Sequence, residues 1–280
     1  MKKHYDILFL AMSCNDPFFE MSRKVTMDTW AKGIIEEQYP GVGFYAFTCA
    51  ADYKERIENN CIYVNVEDDY RHTYSKTVRA MQMLHEQGIT WDVLIRTNTS
   101  IYFNVERTVQ LVKTLDKNKL YSYLLGNLQI GEHSVPLCVG WVMIMPKLLT
   151  DLMIMNAQCF NEEHELIRRL KEEPNFYAND DVLIGIFRWI LCNNKYDVEL
   201  KLLPNAYIKH YKTNLHNRFL QAPLPDLFTR PDQYTDNPDD ILQLPWVQVR
   251  LFGVEHQYRY IELEHMYELH EAYNKKGDHH

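Results

Sequence analysis

Two neighbouring carboxylates, Asp180 and Asp181, open the run Asp-Asp-Val-Leu-Ile-Gly over 180–185, which reads as the start of a helix. Acidic side chains there cap backbone N–H groups and suit the helix dipole. A carboxylate fixed in that place can also take a proton from a hydroxyl, so capping and general-base chemistry are both open. A second constellation follows the apolar run 91–96: the polar stretch Thr97-Asn98-Thr99-Ser100. It is either a plain turn or part of a ligand crevice, because open α/β sheets bind at the C-terminal ends of their strands. The third is Tyr207-Ile208-Lys209-His210-Tyr211-Lys212, which alternates like a strand with one solvated face. Its basic side chains could equally hold an anion, and in a chain of formal net charge −8 this is where an anionic ligand is expected.

These residues need a scaffold, and the chain predicts one by alternation. The apolar run 5–12 followed by Ser13-Cys14-Asn15-Asp16-Pro17 predicts a buried parallel strand and then a helix with Asp16 as N-cap and Pro17 as its first residue. Met27, Trp30 and Ile34 continue at helical spacing as far as Tyr39-Pro40-Gly41. Strands are expected over 43–48 and 61–66, and Val78, Met81 and His85 mark one face of the next helix. A strand over 91–96, a helix over 104–115, strands near 121–130 and 138–145, and helices opened by Pro146 and by Asn179-Asp180-Asp181 complete an α/β pattern. Beyond Pro204, five prolines from Pro223 to Pro245 punctuate an irregular flap, followed by an alternating strand over 246–251 and a helix over 260–269.

Composition narrows the classes further. With 280 residues, 46 % hydrophobic and only 10 Gly and 11 Pro, the chain has material for a large core and is neither disordered nor collagen-like. Excess acid, 38 Asp and Glu against 30 Lys and Arg, argues against a nucleic-acid-coating surface. The six cysteines form no C-x-x-C pair and read as free, mostly buried thiols. There is no G-x-G-x-x-G after the first strand, no P-loop, no G-x-S-x-G and no H-E-x-x-H, which removes support for dinucleotide oxidoreductases, P-loop NTPases, α/β-hydrolases and zincins.

Taken in order, the remaining pieces resemble the inverting GT-A glycosyltransferases of the Fringe and β-1,3-galactosyltransferase type, glycosyltransferase family 31, over about residues 5–212. Arg23 and Thr29-Trp30 match an early Arg-rich helix ending in Thr-Trp, with Met27 in place of a second Arg. Asp68, Tyr70, Lys76 and Thr77 match an Asp-x-Tyr segment leading to a Lys-Thr pair. Arg96 to Asn104 lies where the family has Lys-x-Asp-Asp-Asp-x-Phe-x-Asn; Val139-Gly140-Trp141-Val142 matches a glycine in an apolar strand, and 180–185 the acidic helix start.

The resemblance implies a Rossmann-like GT-A domain with a mixed, mostly parallel sheet over 1–212, and a C-terminal extension over 213–280 whose flap, strand and helix pack on it. It implies transfer of a sugar from a nucleotide donor, a UDP-sugar, to a glycan hydroxyl with inversion, Asp181 being the base and Asp180 the alternative. Asn98, Ser100, Lys209, His210 and Lys212 would hold the diphosphate, and Ser13, Arg23, Thr48, Asp68, Lys76 and Arg96 the rest of the donor, with Gly140 allowing close approach of the backbone. Relatives bind Mn²⁺ or Mg²⁺ through an Asp-x-Asp that here is Asn98-x-Ser100, so no metal is expected to be required. A non-catalytic glycan- or nucleotide-binding protein on the same scaffold is the alternative. The expected acceptor is an oligosaccharide or lipid-linked glycan, the latter bringing the protein peripherally to a membrane. With no signal anchor or apolar span read at the N-terminus, the expected setting is the cytoplasm, building a surface polysaccharide.

Overall fold

The computed structural model describes residues 2–172, 179–194, 196, 198–202, 208–211, 234–235, 248–251, 263, 266–271 and 274. The chain falls into two compact units. One comprises Met1–Asn15, Tyr39–Asn98 and Asp116–Leu203; the other comprises Asp16–Gln38, Thr99–Leu115 and Pro204–His280.

The first unit is built on an eight-stranded sheet. Its strands are β1 (Lys3–Met12), β2 (Val42–Cys49), β3 (Arg56–Glu58), β4 (Cys61–Val64), β5 (Ile89–Asn98), β7 (Leu120–Ile130), β8 (His133–Pro146) and β9 (Leu200–Leu202), in the order β3-β4-β2-β1-β5-β8-β7-β9. Leu8, Phe9, Leu10 and Ala11 of β1 are wholly buried, as a strand covered on both faces requires. β1 pairs in parallel with β2 on one side and β5 on the other, so the direction of winding reverses at β1. Beyond β5 the pairing turns antiparallel with β8 and then β7, and β9 returns parallel to β7.

Helices α3 (Thr73–Glu86), α5 (Lys147–Met155), α6 (Glu165–Leu170) and α7 (Asp180–Asn193) belong to this unit. One apolar cluster joins them to the sheet, from Val78, Met81 and Leu84 of α3 through Leu10, Leu94 and Met143 to Leu183, Ile186 and Phe187 of α7. Gly185 permits the approach of α7 to β8: a Cβ there would lie 2.8 Å from Leu137 Cδ2 and 3.0 Å from Leu137 Cα. The β7–β8 register shifts between Ser122 and Leu124, and Gly140 lies in the part of β8 that faces this irregularity. An isolated strand glycine is a common mark of such a bulge.

The second unit holds α1 (Pro17–Asp28), α2 (Lys32–Ile35), α4 (Val105–Thr114) and a small sheet in the order β11-β10-β12-β6, formed by β6 (Ile101–Phe103), β10 (Ile208–Tyr211), β11 (Tyr234–Thr235) and β12 (Gln248–Leu251). Asp16 caps α1 by accepting from Phe18 N–H at 2.9 Å, with Pro17 as first helical residue, as expected. Trp30 packs on Phe103 with ring centroids 4.9 Å apart, and the Thr26 hydroxyl reaches Met266 Sδ in a C-terminal helical turn over 266–271. Lys212 and most of the proline-punctuated stretch lie outside the described residues. No described helix is long and apolar enough to cross a membrane.

Candidate active site

In the first unit the C-terminal ends of β1, β2, β4 and β5 lie side by side, and the residues that follow them meet there. Ser13 follows β1 and donates its N–H to Phe47 O at 2.9 Å. The Lys76 ammonium, 3 % exposed, enters from α3 and donates to Ser13 O and to Asp68 Oδ1, both at 2.6 Å. Asp68 Oδ2 accepts from Asn15 N–H at 2.6 Å, and the Cys49 thiol donates to Asp68 Oδ1 at 3.3 Å. Thr48 donates its hydroxyl to Asn15 Oδ1 at 3.2 Å. One buried cation and one partly buried carboxylate therefore tie the β1, β2 and β4 loops together.

The electrostatics follow from that wiring. Burial opposes ionisation of Asp68, but the bonds from Lys76 and Asn15 outweigh it and hold its carboxyl below the usual range. Burial pushes the Cys49 thiol up to about 12 in spite of the nearby Lys76 charge, so it is an inert neutral donor.

The acidic pair is the second cluster of the same unit. Asn179 is the N-cap of α7, accepting from Val182 N–H at 3.1 Å while its amide donates to the Tyr70 hydroxyl at 2.9 Å. Asp180 N–H donates to Thr73 Oγ1 at 3.0 Å, which ties the start of α7 to that of α3. Asp180 forms an ion pair with Arg96, both side chains being nearly solvent-free, at 4 % and 3 % exposure. Asp181 keeps 17 % exposure, and its Oδ1 lies 3.9 Å from Arg96 Nη1. The two carboxylates thus differ: Asp180 is committed to a buried ion pair, and Asp181 is the more accessible.

Arg96 belongs to β5 opposite Leu10 of β1, and its Nη2 also lies 3.7 Å from Met12 Sδ. The structure accordingly sets Arg96 against the acidic pair at the end of β1. Two residues on, Asn98 pairs with Met12 in the β1–β5 register, and its Oδ1 is buried with no hydrogen-bond partner among the described residues. Ser100 is buried in the second unit, where Thr99 O accepts from the Ser22 and Thr26 hydroxyls at 3.0 and 3.1 Å. By their chemistry Asn98 and Ser100 offer an amide and a hydroxyl oxygen but no carboxylate, which does not suit a hard divalent cation.

Ser13, Thr48, Asp68 and Lys76 are brought into one network, and Arg96, Asp180 and Asp181 into another. Arg23 on α1, Ser100, and Lys209 and His210 in β10 belong to the second unit; His210 pairs with Tyr234 and Arg250 in the sheet register. Sequence alone does not single out Asn15 or Thr73. Asn15 stands beside the recognised Asp16 cap and Thr73 at the head of α3, but what each does depends on a partner 53 or 107 positions away.

No family model and no curated protein sequence matches the chain. Solved structures do. The chain is similar to a glycosyltransferase involved in the glycosylation of the major capsid of PBCV-1, with 10 % identity, 93 % of this chain and 98 % of that one covered, and a TM-score of 0.50. It aligns with the galactosyltransferase LgtC, solved with donor and acceptor sugar analogues, at 12 % identity, 95 % of each chain and a TM-score of 0.47. Mouse xyloside xylosyltransferase 1 aligns at 8 % identity over 77 % of this chain and 90 % of that one, with a TM-score of 0.36. The fold is thus the GT-A type, an α/β architecture with a mixed, mostly parallel sheet.

Proposed function

We propose that the protein is a glycosyltransferase that moves a sugar from a UDP-sugar to a glycan hydroxyl by single displacement, with inversion and with Asp181 as general base. The observation that carries this reading is the division within the acidic pair. Asp180 is sealed against Arg96, whereas Asp181 sits beside it at a helix start fixed through Thr73 and Tyr70, with its carboxylate reachable from solvent. A base needs both a held position and access to the acceptor hydroxyl.

The donor would lie over the Ser13, Thr48, Asp68 and Lys76 network, where the winding reversal at β1 opens the crevice that α/β sheets use for ligands. Asn98 and Ser100, by their chemistry, can donate to phosphate oxygens, and Lys209, His210 and Lys212 supply cationic charge for a diphosphate leaving group. Their part, those of Arg23 and Gly140, and the specific kinship with the Fringe type rest on the sequence motifs. The neutral Asn98-x-Ser100 supports a second reading, a glycan- or nucleotide-binding protein without turnover. Release of UDP from a panel of UDP-sugars, with and without oligosaccharide acceptors, separates the two. Turnover with an inverted anomeric centre supports transfer, and UDP binding without turnover supports the binding protein.

A further inference from the structure

We propose that a cleft of the first unit, between α3 and residues 157–161, binds a neutral oligosaccharide. Its volume is about 440 Å³, within the roughly 300–1,000 Å³ of ligand pockets. One wall is a stripe of α3 formed by Ser75, Val78, Arg79 and Gln82, whose i, i+3, i+4, i+7 spacing puts them on one helix face. Lys76 leaves α3 toward Ser13 and Asp68 instead, and none of the residues of that network lines the cleft. The helix thus serves two places with different faces.

The opposite wall is tied to α3 in the absence of any ligand. Glu162, 3 % exposed, accepts from Ser75 N–H at 2.8 Å and from the Ser75 hydroxyl, and Phe160 packs on Tyr74 with ring centroids 5.6 Å apart. A cleft already held in shape loses little order on binding.

The lining selects for a ligand that is uncharged and rich in hydroxyls. Arg79 is its cationic side chain, and it donates to Glu55 at 2.8 and 2.6 Å and to Glu86 at 2.7 Å, so an anion would have to compete with two carboxylates. Four carboxamides also line it, those of Asn65, Gln82, Gln158 and Asn161. Each offers a donor and an acceptor side by side, which matches a pair of neighbouring hydroxyls. Val66, Val78 and Ala157 add apolar surface for the C–H face of a sugar ring. Tyr74, 1 % exposed, belongs to the same lining, and its hydroxyl has no hydrogen-bond partner among the described residues. Burial and the charge of Glu162 push that phenol up, so it stays a neutral donor, and a buried donor left unmet is costly until an acceptor reaches it.

The ligand class comes from the cleft alone. Under the transferase reading the occupant is the acceptor glycan, and under the binding-protein reading it is the captured glycan, so binding rather than turnover is the test. The full chain is labelled at its alanine methyl groups, with the Ala157 signal assigned by its loss in A157G. Lactose, maltotetraose, chitotetraose, UDP and inorganic phosphate are titrated in turn. At least one of the three oligosaccharides should shift the Ala157 signal saturably, with UDP present as well as absent, while phosphate and UDP leave it in place. The side chains of Asn65 and Gln158 are exposed and make no hydrogen bond to other described residues, so N65A/Q158A should keep the fold. That variant should bind the oligosaccharide at least about tenfold more weakly, the loss of one or two hydrogen bonds. If it does not fold, Q158A alone carries the comparison. The proposal is overturned if none of the three oligosaccharides shifts Ala157, if the variant binds as the wild type does, or if phosphate takes the cleft in their place. Absence of UDP-sugar turnover in a protein whose cleft binds oligosaccharide contradicts the transferase reading and leaves this site standing.

Discussion

Lys76→Met probes the network at the ends of β1, β2 and β4. The change keeps most of the buried alkyl volume and removes the ammonium, and with it the 2.6 Å bonds to Ser13 O and Asp68 Oδ1. Asp68 keeps Asn15 N–H and the Cys49 thiol but loses its cation. Breaking a buried ion pair at one partner costs about 3–5 kcal/mol. The Asp68 side chain is 20 % exposed, so solvent recovers part of that loss and the expected destabilisation is about 2–3 kcal/mol. Asp68 has a lowered folded pKa, so its stabilisation is present above the unfolded value, about 3.9, and is lost as pH falls through the folded value. The gap between K76M and wild type should therefore be full near neutrality and narrow as the medium is acidified below about pH 4. Urea unfolding at both pH values, with D68N and the double variant, measures it, and direct pairing predicts a coupling of about 1–3 kcal/mol. A loss under about 0.5 kcal/mol at neutral pH, or a coupling near zero, refutes the reasoning.

Gly185→Ala should lower stability by about 1–3 kcal/mol, because the new Cβ meets Leu137; helix propensity alone predicts the opposite sign, so a raised Tm contradicts the close approach of α7 to β8. Cys49 should resist iodoacetamide at mildly alkaline pH, since its thiol lies near 12, while the exposed Cys159 is alkylated, and peptide mapping that finds Cys49 modified first refutes the burial argument. Donor turnover should persist in excess EDTA because Asn98 and Ser100 provide no carboxylate for a cation. Complete loss restored by Mn²⁺ shows that other oxygens build a metal site.

Much of the scaffold is legible along the chain, because its signals are local. The unbroken apolar run before Ser13 marks β1, Asp16-Pro17 starts α1, and Asn179-Asp180 starts α7 through a cap and acidic residues that act within one turn. Short elements escape: β3 is three residues, two of them charged, and α6 has six, too few for either to show a period. The spacing of Met27, Trp30 and Ile34 predicts one continuous helix, whereas α1 ends at Asp28 and α2 begins at Lys32. Thr29 turns its hydroxyl back to Val25 O there, at a non-helical φ of −113° and ψ of −114°. Side-chain spacing survives such a break, so periodicity alone does not report it. At the site, residue types are legible but partners are not. Nothing local says that Arg96 faces Asp180 and Asp181, because only the packing of α7 on the sheet brings them together.

The most direct test of the account is Asp181→Asn in the full chain, with UDP affinity and UDP-sugar turnover measured on the same preparation. Asparagine keeps the shape and much of the capping ability, so fold and UDP affinity should match the wild type while turnover falls at least about a hundredfold, the scale of general-base catalysis. Turnover undiminished in both D181N and D180N would contradict the assignment of the acidic pair to the chemistry.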